Sequence, residues 1–317
     1  MSRIHFIWKA ILELGPRQII SYIPYQLAMR SGLYRHLPRP MDPTVEGTDS
    51  KKFTIRPILE LPNPQRVLDT IGEKGLCQVR DAADEIAAGT VRLFGAKPVP
   101  LVFSPIENLE HWTAYHGGVL PHTGQDIKFT WEPARLGWVF TLGRAYALTK
   151  DETYAQAFWD ILESFWEHNT PYMGPNWASG QEVALRILAM VTAAQIFAPS
   201  PHSNSDRLTR LGISIAQHAG RIPATLLYAR AQNNNHLLSE STGLITAALA
   251  LPGYTQAQRW ERLGWKYFNR GLESQFGKPH KCEVPAAGNV EQNAGKQENP
   301  GSDLDHQVAD AGAVGAL

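Results

Sequence analysis

Between Glu132 and Phe276 apolar residues recur at every third or fourth position, the spacing that places them on one face of a helix. Pro133 stands where a first helical turn tolerates it, and Leu136, Val139, Phe140, Gly143 and Tyr146 follow at that spacing. The next helix carries Tyr154, Phe158, Ile161, Leu162, Phe165 and Trp166 on one side, and Val183, Leu185, Ile187, Leu188 and Val191 mark another. Thr149 to Glu152 and Ser179 to Glu182 both have capping-box spacing, in which a hydroxyl and a carboxylate satisfy backbone N–H groups that lack an intrahelical partner. Further helices are expected at about 206–229, 236–250 and 255–275. Successive helices with short connections and no strand pattern between them predict an all-α fold of stacked antiparallel helix pairs, an incomplete α/α toroid.

The pattern changes on both sides of this block, which spans 126–276. Residues 1–50 read as an N-terminal helix, with Ile4, Ile7, Trp8 and Ile11 on one face, and a linker. Proline and polar residues crowd 37–70, and the region 51–125 is mixed and irregular, with a short helix near 81–89, an extended LVFSP and a glycine-containing loop at 116–124. Residues 277–317 contain no Phe, Trp or Tyr and are rich in Gly, Ala, Asn and Gln. Such a segment buries too little apolar surface to offset the entropy of ordering it, so disorder is expected there.

Charge removes several classes of function. Thirty basic residues balance thirty acidic ones, so no global field draws the chain to nucleic acid, and attraction for a polyanion must come from a local cluster. Near the N-terminus, Arg3, Lys9, Arg17, Arg30, Arg35 and Arg39 face the single acid Glu13, which fits a helix docked on its own domain or one lying on a membrane surface. No apolar run approaches the roughly 20 residues that span a bilayer. The first fifteen residues, interrupted by Lys9 and Glu13, lack the form of a secretory signal. Cys77 and Cys282 form no disulfide framework or zinc spacing, and His111 and His116 match no metal-site spacing, so neither a metal nor a cofactor is expected.

The most unusual local feature is Asn233-Asn234-Asn235-His236 at the start of an apolar helix. Free N–H groups and the positive end of the helix dipole converge there, which suits a carboxylate. Glu240 lies one turn beyond His236 and could orient the imidazole or an amide; the plainer alternative is an ordinary N-cap followed by a surface contact. A second set is Asn176 and Trp177, whose ring could stack on a sugar, with Glu182 and Arg186 on the next helix; a simple cap and ion pair would serve equally. Trp131, Arg135, Trp138 and Arg144 form a third basic and aromatic set, part of which must be core.

Three stretches, IKFTWEPARLGWVFTLGRAYALTKDETYA, GPNWASGQEVALRIL and NNNHLLSESTGLITAALALP, resemble in order and spacing the N-terminal helical domain of heparinase II/III-type polysaccharide lyases. The resemblance implies an incomplete α/α toroid followed by antiparallel β-sheet domains, and β-elimination of an acidic, uronate-containing polysaccharide. It implies Asn235 as the group that neutralises the uronate carboxylate, with Asn234 in its place if the register is off by one, His236 as co-participant and Glu240 as its orienter. Asn176, Trp177 and Arg186 become substrate contacts by the same resemblance, and Glu240, Trp131 and Arg135 are further substrate-binding candidates.

The family's tyrosine, often in a Tyr-His pair some fifty residues after the asparagine, has no counterpart, because the last tyrosine is Tyr267 and the aromatic-free tail follows. The resemblance therefore implies a truncated, weakly active or inactive form, with β domains absent and an exposed toroid face open to self-association. It also implies the periplasm or cell envelope, against the missing signal, which favours the cytoplasm. Two other functions compete: an α/α-toroid glycoside hydrolase using Glu182 and Glu240, and a non-catalytic carbohydrate-binding module.

Overall fold

The computed structural model of the chain describes residues 16–36, 50–115, 120–232 and 235–277. The apolar face at Ile4–Ile11, Asn234 and the tail from residue 278 onward lie outside the described residues. Ten helices are described: α1 (Pro16–Arg30), α2 (Pro64–Ala87), α3 (Lys128–Ala134), α4 (Trp138–Thr149), α5 (Glu152–His168), α6 (Gly180–Phe197), α7 (Ser205–Arg221), α8 (Leu226–Gln232), α9 (Asn235–Ala250) and α10 (Ala257–Phe276). A two-stranded antiparallel ribbon, β1 (Thr90–Val91) with β2 (Val99–Pro100), is the one sheet among the described residues.

Consecutive helices pack on one another, α4 on α5, α6 on α7 and α9 on α10, and α6 also lies between α4 and α9. This is the incomplete α/α toroid, with one continuous core running from Phe53 and Ala83 through Trp159 and Ile187 to Trp260 and Tyr267. Glycine sets the closest approach. A Cβ on Gly243 of α9 would stand 2.7 Å from the Ala184 Cβ of α6 and 3.0 Å from its Cα, so the two helices meet backbone to backbone. Gly264 of α10 likewise approaches the α9 backbone at Ser241 O and Ile245 N, and Gly271 rests on the Leu238 side chain.

Local expectations fared unevenly. Asn63 caps α2 through Gln65 N and Arg66 N, with Pro64 in the first turn, so the short helix expected near 81–89 is the last part of a 24-residue element. Gly72, at φ 64° and ψ −174°, kinks that helix and breaks the periodicity the sequence would otherwise show. The single helix expected at 206–229 is two, because Pro223 follows the end of α7 and a short 3₁₀ turn at Ile222–Ala224 redirects the chain.

The first capping box does not form. Asp151, one position short of the expected carboxylate, caps α5 by accepting from Thr153 N at 2.9 Å, and the Thr149 hydroxyl donates back to Ala145 O. The second forms by half: Ser179 Oγ accepts from Glu182 N at 3.4 Å, but the Glu182 carboxylate turns away to another partner.

Candidate functional site

The C-terminal ends of α5 and α7 and the N-terminal ends of α6 and α9 come to one end of the bundle, with the 169–178 loop among them. Asn169 Nδ2 donates to Phe165 O at 2.8 Å and its Oδ1 accepts from Asn176 Nδ2 at 2.5 Å, while Trp131 Nε1 donates to Pro175 O at 2.8 Å. Tyr172 (φ 66°) and Gly174 (φ 88°) give the loop its sharp path, and Trp112 N and Gly174 N bond it to the 110–112 segment. Asn176 Oδ1 and Trp177 Nε1 are buried without a hydrogen-bond partner.

Two fully buried arginines anchor this loop. Arg186, from α6, donates to the Asn176 carbonyl through Nη2 and to His218 Nε2 through Nε at 3.0 Å. That bond requires an unprotonated Nε2, so His218 carries its proton on Nδ1 and donates it to Ser214 O at 2.7 Å. Burial, with the Arg186 charge beside it, holds the His218 pKa well below the ordinary imidazole range. Arg221, at the end of α7, donates to Trp177 O and Ala178 O at 3.0 Å each and lies 3.4 Å over the Trp112 ring. Burial lowers the pKa of each guanidinium to about 10.

Around Arg221 gather the phenols of Tyr25, Tyr34 and Tyr172. Tyr25 is stacked on Tyr228 with ring centroids 5.0 Å apart and lies 5.8 Å from Tyr34. Helix α1 thus docks on α8, the turn just before the asparagine run.

The accessible part of the site lies beside this buried frame. Asn235 is exposed at the first position of α9 and His236 is half-buried, its pKa lowered by burial and partly restored by the facing Glu182 carboxylate. Glu182 is held by Arg135 through two bonds, Nε to Oε2 at 2.8 Å and Nη2 to Oε1 at 3.0 Å, and Arg135 also reaches Glu132 at 2.7 Å. Trp131, one helical turn before Arg135, presents a partly exposed ring. Asn235, His236, Arg135 and Trp131 are therefore, of the residues taken as catalytic or substrate-binding, those that solvent, and so a ligand, can reach; Arg144 of the third set is also exposed.

The others support rather than touch. Trp177 is 1% exposed, packed on His218 at 4.4 Å and Tyr172 at 5.5 Å, so the expected sugar-stacking face is already occupied. Arg186 is 0% exposed and Asn176 6%, which corrects their expected role as direct contacts: both hold the loop from within. Glu240 is 1% exposed; its Oε2 accepts from Thr225 Oγ1 at 2.9 Å, and burial raises its pKa to about 8. It is neither a surface contact nor a ligand for substrate. With Glu182 paired and Glu240 buried, the two carboxylates a hydrolase needs are not both available.

Sequence reasoning missed Arg221, His218, Thr225 and Gly180. The one legible signal was Arg221 before Ile222-Pro223, a basic residue at a helix end whose C-terminal carbonyls lack partners. Among the described residues no cluster of His, Cys, Asp or Glu is arranged to hold a metal, and no helix is long and apolar enough to cross a membrane.

Residues 106–279, more than half of the chain, match the family Heparinase II/III N-terminus. The chain is 26% identical over 202 residues to the heparin-sulfate lyase of Bacteroides stercoris, covering 53% of this chain and 30% of that protein. It is 25% identical over 142 residues to the heparin-sulfate lyase of Bacteroides thetaiotaomicron, covering 44% and 20%. The solved structure "Heparinase III-BT4657 gene product, Methylated Lysines" superposes with a TM-score of 0.51 at 21% identity, over 84% of this chain and 38% of that one, a likeness of fold. The matched part thus spans less than a third of the length of these curated relatives.

Proposed function

The chain belongs to the heparinase II/III family, and on that premise we propose that it supplies the helical wall and the carboxylate-neutralising group of a lyase acting on an acidic, uronate-containing polysaccharide by β-elimination. The observation that carries this reading is the exposed Asn235 at the N-terminus of a 16-residue helix, next to a half-buried His236 that faces the carboxylate of Glu182, itself held by Arg135. In the elimination a base removes the C5 proton of the uronate, the electron pair forms the C4–C5 double bond, and the C4–O bond breaks as the leaving oxygen gains a proton. The C5 proton is scarcely acidic until the adjacent carboxylate shares its charge.

The Asn235 amide, aided by the positive helix end, donates to that carboxylate most strongly as charge builds on it. Burial lowers the His236 pKa, so the imidazole is neutral and able to accept a proton at neutral pH. Arg135 stands beside the same face with part of its guanidinium exposed, a donor for a sulfate or a second carboxylate, and the Trp131 ring offers an apolar edge to a sugar.

The test is ultraviolet absorbance of the unsaturated uronate product, measured with this chain at high concentration on a panel of uronate polymers. Slow elimination that Asn235→Ala removes is the expected result. Release of reducing ends without the chromophore would make the protein a hydrolase, and polymer binding without either product would make it a binding module.

A further inference from the structure

Glu240 occupies an unusual position. Its carboxyl sits at the N-terminus of α6, five residues along α9 from Asn235, and is almost wholly buried. Thr225 Oγ1 approaches Oε2 at 2.9 Å from one side. From the other side comes the bare Cα of Gly180, the first residue of α6: a Cβ there would stand 2.5 Å from Glu240 Cδ and 2.6 Å from Oε1, and inside contact distance of the Thr225 hydroxyl. Any residue larger than glycine at position 180 would push the carboxyl away.

The same junction is gripped from behind by Arg221, whose Nε and Nη2 hold the carbonyls of Trp177 and Ala178, the two residues before the Ser179 cap. Two residues past Gly180, Glu182 faces His236 and binds Arg135. The junction therefore joins the helix that bears Asn235 and His236 to the helix whose Glu182 holds Arg135.

We propose that Glu240 is a positioning residue: its carboxyl, wedged between Thr225 and Gly180, fixes the first turn of α9 against the first turn of α6 and so sets where Asn235 and His236 stand relative to Glu182 and Arg135. As far as catalysis is concerned, this rests on the reading that Asn235 and His236 belong to an active site. The spacing itself does not. A carboxyl in this role acts through its shape and its hydrogen bonds, so a glutamine of equal size replaces it, whereas deletion of the side chain or intrusion from position 180 does not.

The experiment compares Glu240→Ala, Glu240→Gln, Gly180→Ala and the Gly180→Ala/Glu240→Ala double variant in the 317-residue chain. The first readout is the imidazole titration of His236 by NMR, which needs no substrate. Glu240→Ala and Gly180→Ala should each move the His236 pKa up toward the ordinary value of about 6.5 as the ring gains solvent. Glu240→Gln should leave it in place, and the double variant should shift no further than either single one. The second readout is elimination, where the two disruptive variants should lose on the order of 10²-fold in kcat with little change in KM.

Should Glu240→Ala fail to fold, Thr225→Val, isosteric and lacking the hydroxyl on Oε2, takes its place with a shift in the same direction. An unmoved His236 titration in Gly180→Ala and in the Glu240 or Thr225 variant would overturn the proposal. If the unaltered chain performs no elimination, the lyase reading falls while the NMR titration still decides whether Glu240 sets the spacing.

Discussion

Arg135 of the α3 C-cap holds both oxygens of Glu182 on α6, donating from Nε at 2.8 Å and from Nη2 at 3.0 Å across 47 positions of sequence. The glutamate is nearly buried and the guanidinium about one-third exposed, so the pair is screened from one side only. Arg135→Ala leaves that carboxylate without its fork, and we expect a loss of about 2 kcal/mol, below the 3–5 kcal/mol of a fully buried pair. Arg135→Lys should recover only part of this, since an ammonium cannot meet both oxygens in one plane. Urea midpoints at constant slope are the measurement, and a loss under about 0.5 kcal/mol in Arg135→Ala would show the pair to be ornamental.

Trp177 separates two accounts of the loop. A ring that stacks on substrate would, when cut to alanine, weaken binding and leave folding intact. A ring wedged against His218, Tyr172 and the Arg186 guanidinium should instead cost about 3–5 kcal/mol of stability on Trp177→Ala. Trp177→Phe should cost much less, because the indole N–H it gives up has no partner. Thermal unfolding of the two variants decides between these accounts.

The helical block was legible in the sequence because each of its helices buries a stripe, and a stripe leaves a period: Tyr154, Phe158, Leu162 and Phe165 are all buried where the spacing put them. Asn235 was legible too, as a polar run opening an apolar helix. The support beneath it was not. Arg221 is buried by Trp112, more than a hundred positions away, and holds two main-chain carbonyls, a pairing with no sequence period. Glu240 looked like a surface residue one turn from His236 because spacing along a helix does not say which face is covered; Thr225 and Gly180, on other elements, cover it. The Thr149 box failed for a local reason, since Asp151 offered a closer cap.

Glu240 also makes stability depend on pH. Burial raises its pKa to about 8, so the folded chain keeps the proton that the unfolded chain gives up near 4.5. Its contribution is full below the unfolded value, shrinks as pH rises, and is lost by about pH 8. Glu240→Gln, which cannot ionise, should therefore gain on the unaltered chain between pH 5 and pH 8, with the difference in Tm widening steadily over that range. A constant difference would contradict the burial of the carboxyl.

His218 works in the opposite direction. Its neutral form is required by the Arg186 bond, and burial holds its pKa well below the ordinary value. The contribution is present above the unfolded value of about 6.5 and is lost as pH falls through the lower folded value. His218→Gln, whose side-chain oxygen can still accept from Arg186, should be less stable than the unaltered chain at pH 7, and that deficit should narrow on acidification to pH 5. Denaturant titrations at the two pH values give the comparison.

Asn235→Ala should lower kcat on a uronate polymer by on the order of 10²–10³-fold while KM changes little, because the contact it removes strengthens in the transition state. A raised KM with kcat unchanged would assign the amide to binding alone. Rates within twofold of the unaltered chain would remove it from the site.

The contact of Gly243 with Ala184 has a consequence for how such a wall can evolve. The gap between α6 and α9, and so the separation of the Glu182 and Asn235 strips, is fixed by the bare Cα of Gly243 resting on the Cα and methyl of Ala184, with no long side chain between to lengthen or shorten. A lineage can therefore change what this surface recognises by exchanging an outward residue such as His236 at little structural risk, whereas Arg135 and Trp131, which also hold Glu182 and the Pro175 carbonyl, carry a stability cost. It cannot widen or narrow the surface by small steps: any added carbon at the seam pries apart two core helices at once. The calibre of the wall is inherited with the fold, and only its lining is open to gradual selection.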